Sequence, residues 1–128
     1  MIRAYICSPL SAKSQTGIWE NMFQARKYME QIADIYGYRT YAPHGYLPEL
    51  LDDRCQEERA LALSFGREIL KICQKVIICG NRISAGMRTE IDLAFQMGKE
   101  VYFCQKFDCM ELLPVREWRQ INAMQIQK

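Results

Sequence analysis

Apolar positions along the chain keep two alternating rhythms. Residues 2–7, Ile-Arg-Ala-Tyr-Ile-Cys, form a short β-prone run stopped by Ser8 and Pro9. From residue 16 to residue 36 the spacing changes to threes and fours. Ile18, Met22, Ala25, Met29, Ile32, Ala33 and Tyr36 fall on one stripe, which predicts an amphipathic helix. Thr16 is its expected N-cap, and Gly37 stands where a left-handed residue ends a helix. Residues 38–42 predict a second strand, ended by Pro43. A loop is expected over 43–54, with His44, Gly45, Pro48, Asp52 and Asp53. A second helix follows over 55–73, and a third strand, almost wholly apolar, over 76–79. Then come a turn over 80–84, a third helix over 85–97 closed by Gly98, and a fourth strand over 100–104. Pro114 interrupts the tail, where residues 115–125, with Val115, Trp118 and Ile121, predict a last helix.

Strands alternating with helices imply a parallel sheet with helices on both faces. The expected fold is a single-domain α/β three-layer sandwich of flavodoxin or Rossmann type over residues 1–128. Its parallel sheet has four or five strands in the order 2-1-3-4. In such sheets a ligand sits beyond the carboxyl ends of the strands, at the switch point between strands 1 and 3. That rule selects three loops: 8–15, 43–54 and 80–90.

Composition narrows the function more by exclusion than by sign. The 128 residues are 49% hydrophobic and 25% charged, so a folded globular chain is expected. Lys and Arg number 17 against 15 Asp and Glu, a net charge of +2, too small an excess for a binder of nucleic acid polymers. No apolar run approaches the roughly 20 residues of a membrane span, and residues 1–5 lack the apolar core of a signal peptide. The expected compartment is the cytoplasm, with no membrane partner. None of the six cysteines stands in a Cys-x-x-Cys spacing, and His44 is the only histidine, so neither a metal site nor a cofactor is expected. Cys7, Cys79 and Cys104 each end an apolar run and read as small buried hydrophobes.

Three groups carry candidate chemistry. Ser8, Pro9, Ser11, Lys13 and Ser14 lie in a loop entering a helix N-terminus, where backbone N–H groups and hydroxyls suit a phosphate or a sugar. An ordinary polar capping loop has the same composition. Glu90 lies about 60° around the third helix from Met87, bordering its apolar stripe. That places a half-desolvated carboxylate towards the strand ends, or else a first-turn Glu on the helix dipole. His44 follows the second strand. It is expected at the pocket rim, bonded to the ligand or to Asp52 or Asp53, or as a structural histidine.

These residues resemble a family. Tyr5-Ile-Cys-Ser-Pro9 looks like the strand-end motif "YLAGP" of the nucleoside 2-deoxyribosyltransferase superfamily. Lys75-Val-Ile-Ile-Cys-Gly80, Gly86-Met-Arg-Thr-Glu-Ile-Asp-Leu-Ala94 and Gly98-Lys-Glu-Val101 look like its distal motif of strand, glycine turn, glutamate helix and last strand. Ala42-Pro43-His44 is similar to the "APH" segment of the DUF4406-like branch. The resemblance spans roughly residues 2–104. It implies Glu90 as the nucleophile, with Ser8, Pro9, Ser11, Lys13, Ser14, His44, Asn81, Ser84, Gly86 and Met87 around the substrate. The implied activity is transfer or hydrolysis of the N-glycosidic bond of a 2′-deoxynucleoside or its 5′-monophosphate, without metal or cofactor. Three positions depart from the family's pattern: Asp92 replaces a Gly, Asn81 stands near an Asp that handles the base, and Ser8 replaces a Gly. A protein that binds a nucleotide without turnover is the alternative.

The second helix carries an unusually wide apolar arc. With Leu61 as origin, Ile72, Phe65, Ile69, Ala62 and Cys73 follow within about 120°, the width that packs on a sheet. Leu70 and Leu63 lie beyond it, at about 180° and 200°. The excess width predicts a second partner for this helix: either Trp118 of the tail or another copy of the chain. A homo-oligomer, dimer or larger, is expected.

Overall fold

The computed structural model describes residues 1–104, 109 and 111–126, the side chains of 125 and 126 aside. Its elements are β1 (Arg3–Cys7), α1 (Gln15–Tyr36), β2 (Arg39–Tyr41), a 3-10 turn (Pro43–Gly45), α2 (Leu47–Leu50), α3 (Gln56–Ile72), β3 (Lys75–Ile78), α4 (Ala85–Gln96), β4 (Glu100–Cys104), β5 (Leu112–Val115) and α5 (Trp118–Ile126). They build one five-stranded sheet in the order β2-β1-β3-β4-β5. The first four strands are parallel, in the 2-1-3-4 order expected from the sequence.

The fifth strand makes the sheet mixed. β5 runs antiparallel to β4, with Val101 opposite Val115 and Cys104 opposite Leu112. A parallel return needs a crossover of about a dozen residues, and positions 105–111 are too few. Pro114 lies inside this strand, opposite Tyr102. An edge strand accepts it because no outer neighbour asks for the missing N–H. The last helix therefore starts at Trp118, later than the pattern implied.

Local chemistry moves two further boundaries. Ser14, not Thr16, caps α1: its hydroxyl accepts from the Gly17 N–H at 3.1 Å. Gly37 closes the helix at φ 71°, as expected. Residues 43–54 are not a plain loop but hold the 3-10 turn and α2, each opened by a proline near its start.

Right-handed crossovers leave β1 towards β2 on one side and reach β3 on the other, so their helices take opposite faces. α1 covers the face made by Ala4, Ile6 and Ile77. α3, α4 and α5 cover the face made by Tyr5, Val76, Ile78 and Phe103. At the switch between β1 and β3, Gly80 has φ 106°, and a Cβ there would stand 2.8 Å from Pro9 Cδ. Only glycine lets these two loops meet.

α3 is rotated from its expected setting. Leu70, placed beyond the sheet-facing arc, is 1% exposed, whereas Leu61, Phe65 and Ile72, placed within it, are half or more open to solvent or nearly so. The arc is wider than a sheet can cover. Leu70 and Cys73 are the positions of this stretch that are buried. Trp118 does not cover α3 either. It packs edge-on against Phe95, and its indole N–H donates to Asp92 at 2.6 Å. No described helix is long and apolar enough to cross a membrane.

Candidate active site

Alternation along β1 sends Tyr5 and Cys7 to the face covered by α3 and α4, two residues apart on one side of the pleat. Ser84 caps α4, its hydroxyl accepting from the Met87 N–H at 3.2 Å. The cap sets the helix phase. Met87, Ile91 and Ala94 are buried against the sheet, and Glu90, three residues after Met87, projects over the end of β1. There the Tyr5 phenol donates to the Glu90 carboxylate. The Cys7 thiol lies 3.7 Å from Glu90 Oε1.

The 3-10 turn after β2 presents His44 to the same carboxylate. Its Nε2 stands 3.6 Å from Glu90 Oε1, with the two side chains 24% and 17% exposed. Nδ1 faces the Ser8 carbonyl at 3.2 Å. A carbonyl only accepts, so Nδ1 carries the ring proton and Nε2 is the nitrogen turned to Glu90. Asp52 instead pairs with Arg54 at 3.0 Å, in the exposed turn before α3, away from the expected contact with His44.

Burial raises the Tyr5 phenol well above its ordinary value, and the Glu90 charge raises it further. The Cys7 thiol is raised for the same two reasons. Both therefore stay protonated beside the carboxylate and act as donors. The pair forms a proton-bearing floor under Glu90.

Above that floor is a cleft of about 320 Å³, lined by Tyr5, His44, Gly86, Thr89 and Glu90 on one side. α3 supplies the opposite wall with Arg59, Leu63, Gly66, Arg67 and Leu70. Gly66 keeps the wall clear of the floor: a Cβ there would lie 3.4 Å from the Tyr5 hydroxyl.

Three of the eleven residues singled out from the sequence, Glu90, His44 and Gly86, line this cleft. Ser8 adjoins it through its carbonyl. Its hydroxyl is buried without a hydrogen-bond partner. Pro9 packs on Gly80. Ser11 lends its carbonyl to Arg82 at 2.6 Å, and Ser14 is occupied as a cap. Lys13 and Asn81 are exposed, Ser84 is a cap and Met87 is core. The sequence reading missed Tyr5, Cys7, Arg59 and Arg67 as site groups. For Tyr5 and Cys7 a signal existed, a phenol and a thiol sharing one face of a buried strand. For the arginines it was the spacing 59, 63, 66, 67 and 70 along one side of a helix.

One family model, described as "Domain of unknown function (DUF7768)", matches residues 3–104. No curated protein matches the chain. Among solved structures, a 2-deoxyribosyltransferase from the psychrotolerant bacterium Bacillus psychrosaccharolyticus is similar at TM-score 0.61 and 17% identity, over 79% of this chain and 70% of that one. At that identity the likeness is one of fold.

Proposed function

The chain belongs to the DUF7768 family, and on that premise we propose that it cleaves or transfers the N-glycosidic bond of a 2′-deoxynucleoside 5′-monophosphate or the parent deoxynucleoside. The observation that carries the reading is Glu90, 17% exposed at the base of the cleft and held by the Tyr5 phenol beside His44. The deoxyribosyltransferase fold supports it, as does the sequence likeness of the Tyr5–Pro9 and Gly86–Ala94 segments. The Ala42-Pro43-His44 likeness to the DUF4406-like branch belongs to the same proposal.

The chemistry follows from the placement of donors. A Glu90 oxygen attacks C1′ as the C1′–N bond breaks through an oxocarbenium-like state. The bonding electrons leave with the base, and an imidazolium at His44, carrying a second ring proton on Nε2, would pass it that proton, a task the Asn81 amide cannot perform. The glycosyl ester is then opened at C1′ by water, giving hydrolysis, or by a second base, giving transfer. Tyr5 keeps the attacking carboxylate oriented. Arg59 and Arg67 on the α3 wall suit a 5′-phosphate, and the unpartnered Ser8 hydroxyl suits a sugar or phosphate oxygen. Of the other residues the resemblance implied, Gly86 lines the cleft in this reading, and Ser84 and Met87 set the phase of the helix that carries Glu90. No step calls for a metal or redox cofactor, and the site is assigned to the cytoplasm.

The test is incubation with a pool of deoxynucleosides and monophosphates, followed by chromatography for free bases and exchanged nucleosides. Covalent labelling of Glu90 by a 2-fluoro-2-deoxynucleoside identifies the nucleophile. The second reading is binding without turnover in the same cleft, favoured by Asn81 standing exposed near where the deoxyribosyltransferases that the chain resembles carry a carboxylic acid. It predicts a ligand-dependent thermal shift with no free base.

The proposal includes a homo-oligomer. Leu61, Phe65 and Ile72, 60%, 50% and 48% exposed, form a stripe on the side of α3 away from the cleft. A second copy packing the same stripe buries it on both sides of a two-fold axis. Sedimentation of a Leu61→Glu, Phe65→Glu variant checks this: the wild-type chain runs as a dimer or larger and the variant as a monomer.

A further inference from the structure

The face of the sheet opposite Glu90 holds a second cluster of reactive side chains. Cys79 follows β3, Cys104 ends β4, and Cys109 lies in the connection between β4 and β5. Their sulfurs all lie within 4.8 Å of one another. The three residues are 1%, 5% and 0% exposed, among Ile6, Tyr28, Ile32 and Ala42. All six cysteines of the chain are in the thiol form.

We propose that Cys79, Cys104 and Cys109 form a three-thiolate site for a thiophilic closed-shell metal ion, Zn²⁺ or Cu⁺. The first argument is distance. Metal–sulfur bonds of about 2.3 Å place thiolates about 3.8–4.0 Å apart in tetrahedral or trigonal geometry. Closing from 4.8 Å asks less than about 1 Å of each sulfur, within side-chain adjustment. The second is backbone conformation. Cys109 is the one described non-glycine residue with positive φ, at 58°. The left-handed region costs a residue with a Cβ about 1–2 kcal/mol, so glycine would be cheaper there unless the thiol is needed. Cys109 is also held in place: the Tyr36 hydroxyl donates to its carbonyl at 3.1 Å, a contact that fixes the residue from outside a metal's coordination sphere.

A metal suits the cluster better than a disulfide. Three sulfurs converge, and a disulfide would use two. The cluster is also shut off from solvent, where thiols react slowly with oxidants. Soft thiolates select Zn²⁺ and Cu⁺ over harder ions. On binding, three S–H bonds are replaced by three S–metal bonds, three protons pass to solvent and no electron moves. The ion would join Cys109 to the ends of β3 and β4, on the face away from the glycosidic site.

The test uses the full chain with Cys55→Ser, which removes the half-buried thiol at the start of α3. It is purified under reducing conditions and stripped with chelator. Titration with Zn²⁺, with Cu⁺ under anaerobic conditions, and with Cd²⁺ as an ultraviolet reporter of thiolate bonding follows. The expected result is one equivalent of metal per chain, a sulfur-to-cadmium charge-transfer band and a raised melting temperature. The ion bound at the lower free concentration is the natural occupant. Cys104→Ser and Cys109→Ser should each weaken binding at least about a hundredfold, and Cys73→Ala, on the other face, should leave it unchanged. Far-ultraviolet circular dichroism of the metal-free variants separates lost binding from lost folding. The titration of the Cys55→Ser chain needs no cluster variant. Absence of the charge-transfer band there, binding that survives the double variant Cys104→Ser, Cys109→Ser, or a disulfide within the trio in the reduced preparation overturns the proposal.

Discussion

The two faces of the sheet bury reactive groups in opposite ways. Each strand feeds both faces: β1 sends Tyr5 and Cys7 to one and Ala4 and Ile6 to the other, and β3 sends Ile78 to one and Ile77 and Cys79 to the other. Over the first face, α3 presents Ala62 and Gly66 and leaves an open cleft above Glu90. Over the second, α1 packs Met22, Ala25 and Ile32 to full burial, and the thiols of Cys79, Cys104 and Cys109 are closed in. The cleft stays open where Gly66 of α3 passes the Tyr5 hydroxyl, whereas Met22, Ala25 and Ile32 of α1 are fully buried.

The sharpest way to break this contrast is to remove the chemistry from the open face. Glu90→Gln should lower base release by about a thousandfold or more, because an amide is a poor nucleophile. Its urea midpoint should change little. Equal activity in the variant, measured by chromatography, would sink the assignment of Glu90.

The reverse test empties the closed face. Ile32→Ala removes a fully buried side chain of α1 and should cost about 2–5 kcal/mol of stability. Turnover per folded molecule should stay near wild type, because α1 does not reach the cleft. Chemical denaturation alongside an activity assay checks both halves.

Tyr5→Phe divides floor from fold. It deletes one hydrogen bond to a carboxylate, worth about 1.5–3 kcal/mol, so turnover should fall roughly tenfold to a hundredfold. The ring still fills its place in the core, so the loss of stability should not exceed that of this one bond. A loss of stability without loss of turnover would make Tyr5 structural.

The smallest expected effect is alkaline. Burial raises the thiols of Cys7 and Cys79 well above their ordinary value, and that of Cys73 to about 11. A raised thiol stabilises the fold fully below its unfolded value of about 9, and the contribution is lost as pH rises through the folded value. Urea midpoints should therefore stay level up to about pH 8 and decline above about 9. Glu90→Gln should lessen the decline that Cys7 causes, because the carboxylate adds to that shift. In the metal-free protein it should leave the share of Cys79, on the far face, untouched. An identical slope in both proteins would show that Glu90 does not act on Cys7.

Local pattern carried most of the architecture. Short β-prone apolar runs and a helical spacing of threes and fours placed four strands and three long helices, and alternation with right-handed crossover implied the 2-1-3-4 order and the switch point. Gly37 announced the end of α1 through its backbone freedom. Glu90 was legible because it borders an apolar stripe in the early turns of α4, and His44 because it follows β2. These features depend on neighbours in the chain, which a sequence displays directly. The antiparallel β5 was not legible. Pro114 reads as a break until the strand is known to lie at an edge, and position in the sheet is a tertiary fact. The face of α3 that meets the sheet was not legible either, since an apolar arc of that width offers several rotations and only packing chooses among them. The meeting of Tyr5 with Glu90, 85 residues apart, and of Cys79, Cys104 and Cys109 at three separate points of the chain, belongs to the same class. Residues distant in sequence converge only when the strand ends are laid side by side, so these contacts were decided by the tertiary structure.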